Sequence, residues 1–339
     1  MQAVAEKWEI PEVYTTRDCL GLISSPEVDV VHITSPNRHH HAQALAALAA
    51  GKHVVCEKPL AMNAQETAEI VAAARASGKL LAVNYNVRFY PAALQMRALV
   101  QSGELGRIAH VNGSYMQDWL LKQTDYNWRL LADEGGELRA VGDIGTHWLD
   151  TVQFILGSPV SEVLADLGTL HATRKRPAGE VQTFADTSLL EQIEYAVDTE
   201  DFASVLLRFA DGARGNLAVS QVAAGRKNCI RIAIYGSRQS VWWNSENPDV
   251  LHLGRRDSAN ATAFRACAEF GDATGFTDYP GGHVEGFPDT FKMLYRSIYQ
   301  AIAEGKHEGL FASAEAGHAE LQICEAILKS HRERRWIAI

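Results

Sequence analysis

Apolar residues in the first third of the chain form three short runs, separated by two helix-forming stretches. These five segments are residues 28–34, 41–50, 53–56, 65–76 and 80–84. The apolar runs have no polar alternation, which is typical of parallel strands covered on both faces. Gly51 and Gly78 follow the two helical stretches as helix-ending residues. Strand, helix, strand, helix and strand at this spacing predict an α/β fold with a parallel, doubly wound sheet.

The pattern changes after residue 106, where strand-like runs follow one another with few helices between them. The predicted strands are 108–116, 160–170, 202–209, 213–222, 229–235 and 240–243, and the predicted helices are 146–156, 290–303 and 313–332. Asp211-Gly212 is a hairpin signal between two strands. Residues 257–280 show no periodicity and are predicted to form a long excursion from the sheet. We therefore expect an α/β domain at 1–106 and an α+β domain at 107–339 with a large, mostly antiparallel open sheet.

Length, charge and cysteine content narrow the class of protein. A chain of 339 residues is longer than one core usually serves, which agrees with two domains. The net charge of −9 argues against nucleic-acid binding, and the longest basic cluster, residues 174–176, is interpreted as a solvated loop. Five scattered cysteines without a CxxC pair indicate a reducing compartment. Without a signal peptide or a long apolar run, the protein is predicted to be cytoplasmic and not membrane-bound.

The first candidate for chemistry is a lysine in the turn that follows the apolar run 53–56. Glu57, Lys58 and Pro59 form this turn, and Pro59 restricts Lys58 to extended conformations. A lysine just beyond the carboxyl end of a parallel strand stands where open α/β sheets bind their ligands. The alternative is a surface lysine on a connecting loop. The flanking strand and turn favour a functional role.

The second candidate is an aspartate and a histidine at helical spacing. Asp143 and His147 are four residues apart, so a helix places both side chains on one face. His147 titrates near neutral pH when unperturbed, which suits a general base for an alcohol proton. Asp143 could cap the helix that follows or orient the imidazole, and the alternative is a capping aspartate beside a structural histidine. Asp150 is interpreted as a helix-surface or cap-completing residue.

Other polar and aromatic residues are weaker candidates. They are Asn37 and Arg88 after strand ends, the cluster Tyr126, Trp128 and Arg129, which could grip sugar hydroxyls and ring faces, and His283. Residues 39–41 are three consecutive histidines that point different ways, so no metal site is predicted. The sequence has no nucleophile elbow, Walker loop or HExxH motif. Proton transfer coupled to a redox step therefore suits these residues better than hydrolysis.

Several of these motifs together resemble one known family. The stretches ITSPNRHHHAQALAAL, AGKHVVCEKPL and GDIGTHWLD are similar to the Gfo/Idh/MocA family of nicotinamide-dependent sugar and polyol oxidoreductases. The resemblance extends from residue 2 to the C-terminal helix. The stretches LKQTDYNWRLL and GGHVEGFPDTFKMLYRSIYQAI resemble a subgroup that acts on sugars or sugar derivatives. The family fold implies that residues 1–106 form a Rossmann-like NAD(P)-binding domain and 107–339 a substrate-binding and oligomerisation domain.

The resemblance also implies roles for individual residues. Lys58 would bind the substrate hydroxyl and help its proton leave, His147 would be the base, and Asp143 would bind substrate or orient these groups. The residues implied at the nicotinamide half of NAD or NADP are Ser35, Pro36, Asn37, His40, Glu57, Lys58, Asn84 and Arg88. Substrate contacts are expected from Lys58, Tyr126, Trp128, Arg129, Asp143, His147 and His283. Such proteins assemble as homodimers or homotetramers through the open face of the C-terminal sheet.

One part of the family pattern is not found in these 339 residues. The family opens with a strand, a GxGxxG turn, a helix and a second strand, whereas this sequence starts at what resembles the following helix, so the Rossmann-like domain is expected to be incomplete. Either the natural protein has an N-terminal segment before these 339 residues, or the cofactor domain is truly this short. The first hypothesis is an NAD(P)-dependent dehydrogenase acting on a CH–OH group of a sugar or polyol. The alternatives are a non-catalytic sugar-binding relative that no longer binds dinucleotide, and a lyase or hydrolase that uses tightly bound NAD.

Overall fold

The architecture is that of a computed structural model, which describes residues 2–10, 12–14, 19–178, 191–265 and 275–339. The helices are α1 Gln2–Lys7, α2 Cys19–Ser24, α3 His40–Ala49, α4 Ala64–Ser77, α5 Pro91–Gln101, α6 Ala132–Gly135, α7 Thr146–Leu156, α8 Phe287–Ala303 and α9 Ala314–Glu333. The strands are β1 Val30–Ile33, β2 His53–Cys56, β3 Leu81–Val83, β4 Ile108–Met116, β5 Val160–Gly168, β6 Thr173–Pro177, β7 Gln192–Ala196, β8 Phe202–Phe209, β9 Arg214–Ser220, β10 Cys229–Gly236, β11 Gln239–Asn244, β12 Val250–Arg255, β13 Ala261–Phe264, β14 Ala312–Ser313 and β15 Ile337–Ala338.

The first sheet contains the three strands predicted from the apolar runs. Its order is β1-β2-β3-β14, and β1, β2 and β3 are parallel, with Val54 of β2 opposite Val31 of β1 and Leu81 of β3. The central residues Val54, Val55 and Cys56 are almost fully buried, as expected of strands covered on both faces. The prediction of a parallel α/β sheet is confirmed.

The C-terminal part of the chain completes this first sheet. Strand β14 pairs antiparallel with β3, where Ala312 lies opposite Val83. Helix α9 packs on α4 and β3, while Leu294 and Ile298 of α8 pack on the other side of the sheet. Helices from the predicted second domain thus cover the sheet of the predicted first one, and the division at residue 106 stays a prediction.

The second sheet is large and open, as predicted. Its order is β13-β12-β11-β10-β4-β9-β8-β5-β15, and neighbouring strands are antiparallel except β4 and β9, which are parallel. Helices α5, α7 and α9 cover one face and share a core with it. The fold class is therefore confirmed as a Rossmann-like parallel sheet followed by an α+β unit with a mostly antiparallel sheet.

Helix α7 is held against the second sheet by a close contact at a glycine. Trp148 is fully buried and its Nε1–H donates to the carbonyl of Arg231 in β10, at 2.8 Å. A Cβ atom at Gly113 in the neighbouring strand β4 would collide with both the indole and that carbonyl. A glycine is therefore required where the indole crosses the strand, and this contact fixes the helix that carries His147.

Two sequence interpretations of irregular structure were wrong. Within residues 257–280, predicted to be a long excursion, β13 extends the second sheet by pairing with β12. Strand β12 was not predicted either. Residues 266–274 lie outside the described residues. Arg174, expected in a solvated loop, lies in β6, which pairs with β7, and its side chain is fully buried. Its charge is compatible with burial because its guanidinium pairs with Asp201, at 2.6 Å.

Candidate active site

A cavity of about 340 Å³ opens beyond the carboxyl ends of β2 and β3, between the two sheets. It brings together six of the predicted site residues: Glu57, Lys58, Asn84, Arg129, Asp143 and His147. The other lining residues are Asn86, Tyr115, Gln117, Trp119, Ile144, Lys227, Asn228, Phe287 and Phe291. Ligands of open α/β sheets bind at this edge of the strands, so the cavity is the candidate active site.

Lys58 and Asp143 form the charged centre of this cavity. Lys58 Nζ donates to the Asp143 carbonyl at 2.5 Å and to Asp143 Oδ1 at 2.7 Å. Arg129 Nε also donates to Oδ1, at 3.1 Å, and Gln221 Nε2 donates to Oδ2, at 2.7 Å. Burial alone raises the pKa of the Asp143 carboxyl, but the charges of Lys58 and Arg129 outweigh it and hold that pKa well below its usual range. Asp143 is therefore a carboxylate at neutral pH.

The structure corrects the predicted local role of Asp143. The residue lies in a turn of π-helix, Val141–Gly145, that runs directly into α7, so its side chain does not cap that helix. Its carboxylate oxygens accept hydrogen bonds from Lys58, Arg129 and Gln221 and not from the imidazole of His147. The carboxylate orients the lysine, and His147 is positioned by packing.

His147 is buried between aromatic rings and near a positive charge. Its ring lies 5.6 Å from that of Tyr85 and 6.3 Å from that of Tyr115, measured between centroids. Burial and the charge of Lys58 hold the pKa of the imidazole well below its usual range, although Asp143 opposes them. The imidazole is consequently neutral at neutral pH, and one of its ring nitrogens carries a free lone pair. Its Nδ1 is buried and has no hydrogen-bond partner among the described residues.

Most residues predicted to contact the cofactor lie around the ends of the parallel strands. Asn84, after β3, donates its amide to the carboxylate of Glu57, after β2. Asn37, after β1, is buried and donates to the carbonyl of Gly135, at 2.8 Å. Pro36 precedes the short helix that begins at Asn37. These residues occupy the predicted edge of the sheet, and their contacts with a cofactor stay predictions.

Ser35 and His40 lie behind the turns at that edge of the sheet and do not line the cavity. The ring nitrogens of His40 lie 2.9 and 2.8 Å from the carbonyl oxygens of Pro59 and Ser35, and the side chain is fully buried. Burial lowers the pKa of His40, although its hydrogen bonds with these two carbonyls oppose the effect. The Ser35 hydroxyl donates to Gln43, at 2.7 Å. His40 thus joins two turns, and any effect it has on a cofactor passes through them.

Besides Ser35, Pro36, Asn37 and His40, four more predicted site residues do not line the cavity. The guanidinium of Arg88 is buried and pairs with Asp150, with Nε 2.7 Å from Oδ2, and this pair also corrects the expectation that Asp150 lies on the helix surface. Tyr126 packs edge-on against Tyr195, and Trp128 lies under the guanidinium of Arg129. His283 is exposed, with Nδ1 3.2 Å from the carbonyl of Pro280. Direct contacts of these four with a ligand remain untested predictions.

One wall of the cavity escaped the sequence analysis. The Tyr115 hydroxyl and the Gln117 amide both donate to Asn228 Oδ1, at 2.6 and 3.0 Å, and Trp119 Nε1 donates to Gln117, at 2.8 Å. Tyr115, Gln117 and Trp119 are two residues apart, which is the spacing of one strand face. Phe287 and Phe291 are four apart on α8 and close the opposite rim. Both spacings could have been noticed, but neither indicates a cavity without the fold.

Two kinds of site are not found in the part of the chain that the structure describes. No group of three or more His, Cys, Asp or Glu side chains there could hold a metal ion. No described helix is both long and apolar enough to cross a membrane.

Comparison with known proteins gives the architecture and the cavity a family context. Residues 1–85 match the family model described as oxidoreductase family, NAD-binding Rossmann fold, and residues 93–242 match the GFO/IDH/MocA C-terminal domain. Levoglucosan dehydrogenase of Pseudarthrobacter phenanthrenivorans is 30% identical over 332 residues, which cover 96% of this chain and 83% of that protein. D-glucoside 3-dehydrogenase of Escherichia coli is 36% identical over 161 residues, 47% of this chain and 44% of that protein.

A solved structure supports the same assignment. Levoglucosan dehydrogenase in complex with NADH and levoglucosan superimposes with a TM-score of 0.87 at 28% identity, covering 100% of this chain and 87% of that chain. The two matched models cover the three parallel strands of the first sheet and most of the second sheet. The chain belongs to the GFO/IDH/MocA family of oxidoreductases.

Proposed function

We propose that this protein is an NAD-dependent dehydrogenase that oxidises a CH–OH group of a sugar, polyol or sugar derivative. The observation that carries the proposal is the cavity in which Lys58, held by Asp143, and a neutral His147 meet at the carboxyl edge of the parallel sheet. Two relatives named as sugar dehydrogenases support the substrate class. The polar and aromatic wall of Tyr115, Gln117 and Asn228 suits a ligand with several hydroxyl groups.

The residues at this edge fit the nicotinamide end of a dinucleotide. Glu57 and Asn84 line the cavity directly after adjacent parallel strands, which is the position that such cofactors occupy in open α/β sheets. His147 Nδ1 and Asn86 Oδ1 are buried polar atoms without a partner among the described residues, so the cavity offers unused hydrogen-bonding capacity to a polar ligand. When bound, NAD supplies an acceptor for hydride.

The side chains of the cavity divide the proton chemistry between them. Two of the three N–H groups of Lys58 point at Asp143, and we assign the third to the substrate hydroxyl oxygen. A ring nitrogen of His147 would accept the hydroxyl proton, because its imidazole is neutral and is held beside Lys58 by burial. Asp143 would keep the ammonium in place and offset its charge without taking the proton.

Binding of reduced nicotinamide nucleotides is the first test. We expect NADH to bind saturably, in the micromolar range, when the purified chain is titrated and nicotinamide fluorescence is followed. Glu57→Leu should weaken this binding by about tenfold, because it removes a charged acceptor from the cavity edge. Glu69→Leu is the control, since Glu69 bonds only to surface groups of α3 and α4.

Turnover is then screened with NAD⁺ and a panel of sugars and polyols. Accumulation of NADH with a ketone product supports the dehydrogenase and separates it from a lyase or hydrolase that returns its nicotinamide to the starting state. Saturable sugar binding without any nucleotide binding would instead support the non-catalytic alternative and overturn the proposal.

We also propose that the protein is a cytoplasmic homo-oligomer assembled through the open face of the second sheet. This face carries exposed apolar side chains, among them Phe202, Leu206, Tyr235 and Trp242. Their strand neighbours point into the helix-covered core, so alternation places these four on the other face. Large exposed apolar side chains on one face of a sheet are typical of a surface that contacts another protein. The described cysteines, all free thiols, support a reducing compartment.

Sedimentation velocity tests the assembly. The parent protein is expected to sediment as a dimer or tetramer, and the double variant L206R/W242R as a smaller species, since it places charges in the apolar contact. Tyr299→Arg is a control on an exposed aromatic residue of α8, whose hydroxyl bonds His32 in the first sheet. A parent that sediments as a monomer would exclude this interface.

A further inference from the structure

A buried glutamine links the candidate active site to a cluster of charges behind it. Gln221 follows β9 and is fully buried. Both its amide nitrogen and its amide oxygen form hydrogen bonds. Its Nε2 donates to Asp143 Oδ2 at 2.7 Å, and its Oε1 accepts from Arg139 Nη1 at 3.2 Å. The backbone is fixed as well, because its N–H donates to the carbonyl of Asp201 at 3.0 Å. The side chain therefore has one position between Arg139 and Asp143.

The orientation of the Gln221 amide follows from the chemistry of its neighbours. A guanidinium can only donate hydrogen bonds, and an ionised carboxylate can only accept them. Arg139 therefore takes the amide oxygen, and Asp143 takes the amide nitrogen. Reversing the amide would place two donors against each other on one side and two acceptors on the other. The buried arginine thus dictates that Gln221 presents a donor to Asp143.

Arg139 is itself held firmly. Its guanidinium is paired with Asp201 and donates to Thr199 Oγ1, while Arg174 donates to the same Asp201 oxygen from the other side. The backbone N–H of Arg139 donates to the carboxyl group of Glu200, at 2.9 Å. Burial raises the pKa of Glu200 to about 7, although its hydrogen bonds with backbone N–H groups oppose this. Gln221 is therefore supported by a rigid group of side chains outside the cavity.

We propose that Gln221 is a positioning residue that sets the carboxylate of Asp143, and through it the ammonium of Lys58. This inference rests on the proposed function, in which Lys58 binds the substrate hydroxyl. Gln221 does not line the cavity, so it acts through Asp143 and not by touching substrate. It gives Oδ2 a fixed donor, which leaves Oδ1 turned toward Lys58 and Arg129. Without that donor the side-chain hydrogen bonds of the carboxylate are those of Oδ1 with Lys58 and Arg129, and Oδ2 has none among the described residues.

Gln221→Glu tests the polarity of this link. When ionised, the introduced carboxyl group keeps an acceptor for Arg139 but repels Asp143. When protonated, it has the same shape and the same donor toward Asp143 as the amide. We expect kcat to fall by about 10- to 100-fold at high pH, with a smaller change in KM, because a charge-assisted hydrogen bond is replaced by repulsion. The ratio of variant to parent kcat should rise as the pH falls and the introduced group gains its proton.

A matched substitution separates this effect from a general cost of burying a carboxyl group. Gln153 in α7 also donates to a carboxyl group, Glu320, at 2.7 Å, and accepts a backbone N–H from Val160, at 2.8 Å. Gln153→Glu should leave the pH dependence of the kcat ratio flat, because neither partner belongs to the cavity. A pH-independent kcat ratio for Gln221→Glu, or a parent-like kcat throughout, would overturn the proposal.

A double-mutant cycle on thermal stability tests the hydrogen bond between Gln221 and Asp143 without measuring turnover. Gln221→Glu and Asp143→Asn each lower the thermal midpoint at high pH, but together they exchange the carboxylate and the amide, so a donor again faces an acceptor. We expect the loss in the double variant to be smaller than the sum of the two single losses. Additive losses would overturn the proposed contact. This outcome does not depend on substrate or nucleotide, so it remains informative if the parent shows no dehydrogenase activity.

Discussion

Lys58→Met loses turnover by about 10³-fold or more while the protein stays folded, because one side chain supplies both a hydrogen bond and a positive charge at the reacting oxygen. The thioether keeps most of the stem volume but cannot donate a hydrogen bond. Asp143 retains Arg129 and Gln221 as partners, so the carboxylate is not left alone in the cavity. Single-turnover formation of NADH measures the loss directly, and NADH binding should change much less.

The control for this result lies at the other end of the same strand. Lys52 precedes β2 and donates to the carbonyl of Ser25, at 2.8 Å. Lys52→Met removes a comparable ammonium and one hydrogen bond without changing the cavity, so its turnover should match that of the parent protein. Parent-like turnover of Lys58→Met would remove the lysine from the proposed mechanism. Equal losses in the two variants would point to a general effect of lost lysines on the fold.

Asp201→Asn is expected to lower the free energy of unfolding by about 3–5 kcal/mol, although it changes neither the size nor the shape of the side chain. Asp201 is fully buried and holds the guanidinium groups of Arg139 and Arg174. Its Oδ2 accepts the backbone N–H of Leu170, at 2.6 Å. An amide in this place loses the charge that balances two buried cations and turns a donor toward other donors. Urea unfolding monitored by far-UV circular dichroism measures the change.

The same substitution at an exposed ion pair provides the comparison. Asp118 bonds Lys227, at 2.8 Å, but the Lys227 side chain is 83% exposed, so solvent screens the pair. Asp118→Asn should lower the free energy of unfolding by about 0–1 kcal/mol. If the two substitutions lower the free energy of unfolding equally, the buried cluster does not have the stabilising role assigned to it. If Asp201→Asn lowers the free energy of unfolding but leaves kcat unchanged, the cluster stabilises the fold without a measurable effect on the position of the cavity side chains.

The elements and motifs that depend on local patterns could be predicted from the sequence. Strand β2 was predicted at its observed bounds, because its apolar run is enclosed by Gly51 and by the turn at Lys58. The helix at 146–156, which carries His147, is predicted at its observed bounds, whereas the π-helical turn that holds Asp143 is not predicted. In each case the determining residues are neighbours along the chain, so the periodicity of the element carries the information.

The remaining features depend on which distant residues cover a side chain. Arg174 stands in a row of three basic residues, which normally indicates a solvated surface. Its burial is possible because Asp201 and the carbonyls of Leu120 and Lys122 accept its hydrogen bonds. Gln221 is a single polar residue after a strand, and nothing local distinguishes it from an exposed one. The wall formed by Tyr115 and Asn228 likewise joins two strands that are far apart in sequence. Such contacts follow from topology and not from periodicity.

The return of the chain to its first sheet has a consequence for biosynthesis. A ribosome releases β1, β2 and β3 early. The strand that pairs with β3 is β14, and the helix that packs on β3 is α9, and both lie late in the chain. Nascent chains tend to fold from the N-terminus as they emerge, and an uncovered strand edge promotes aggregation. The early sheet must therefore wait for most of translation to finish, and this interval is when a chaperone would be of most use to the nascent protein.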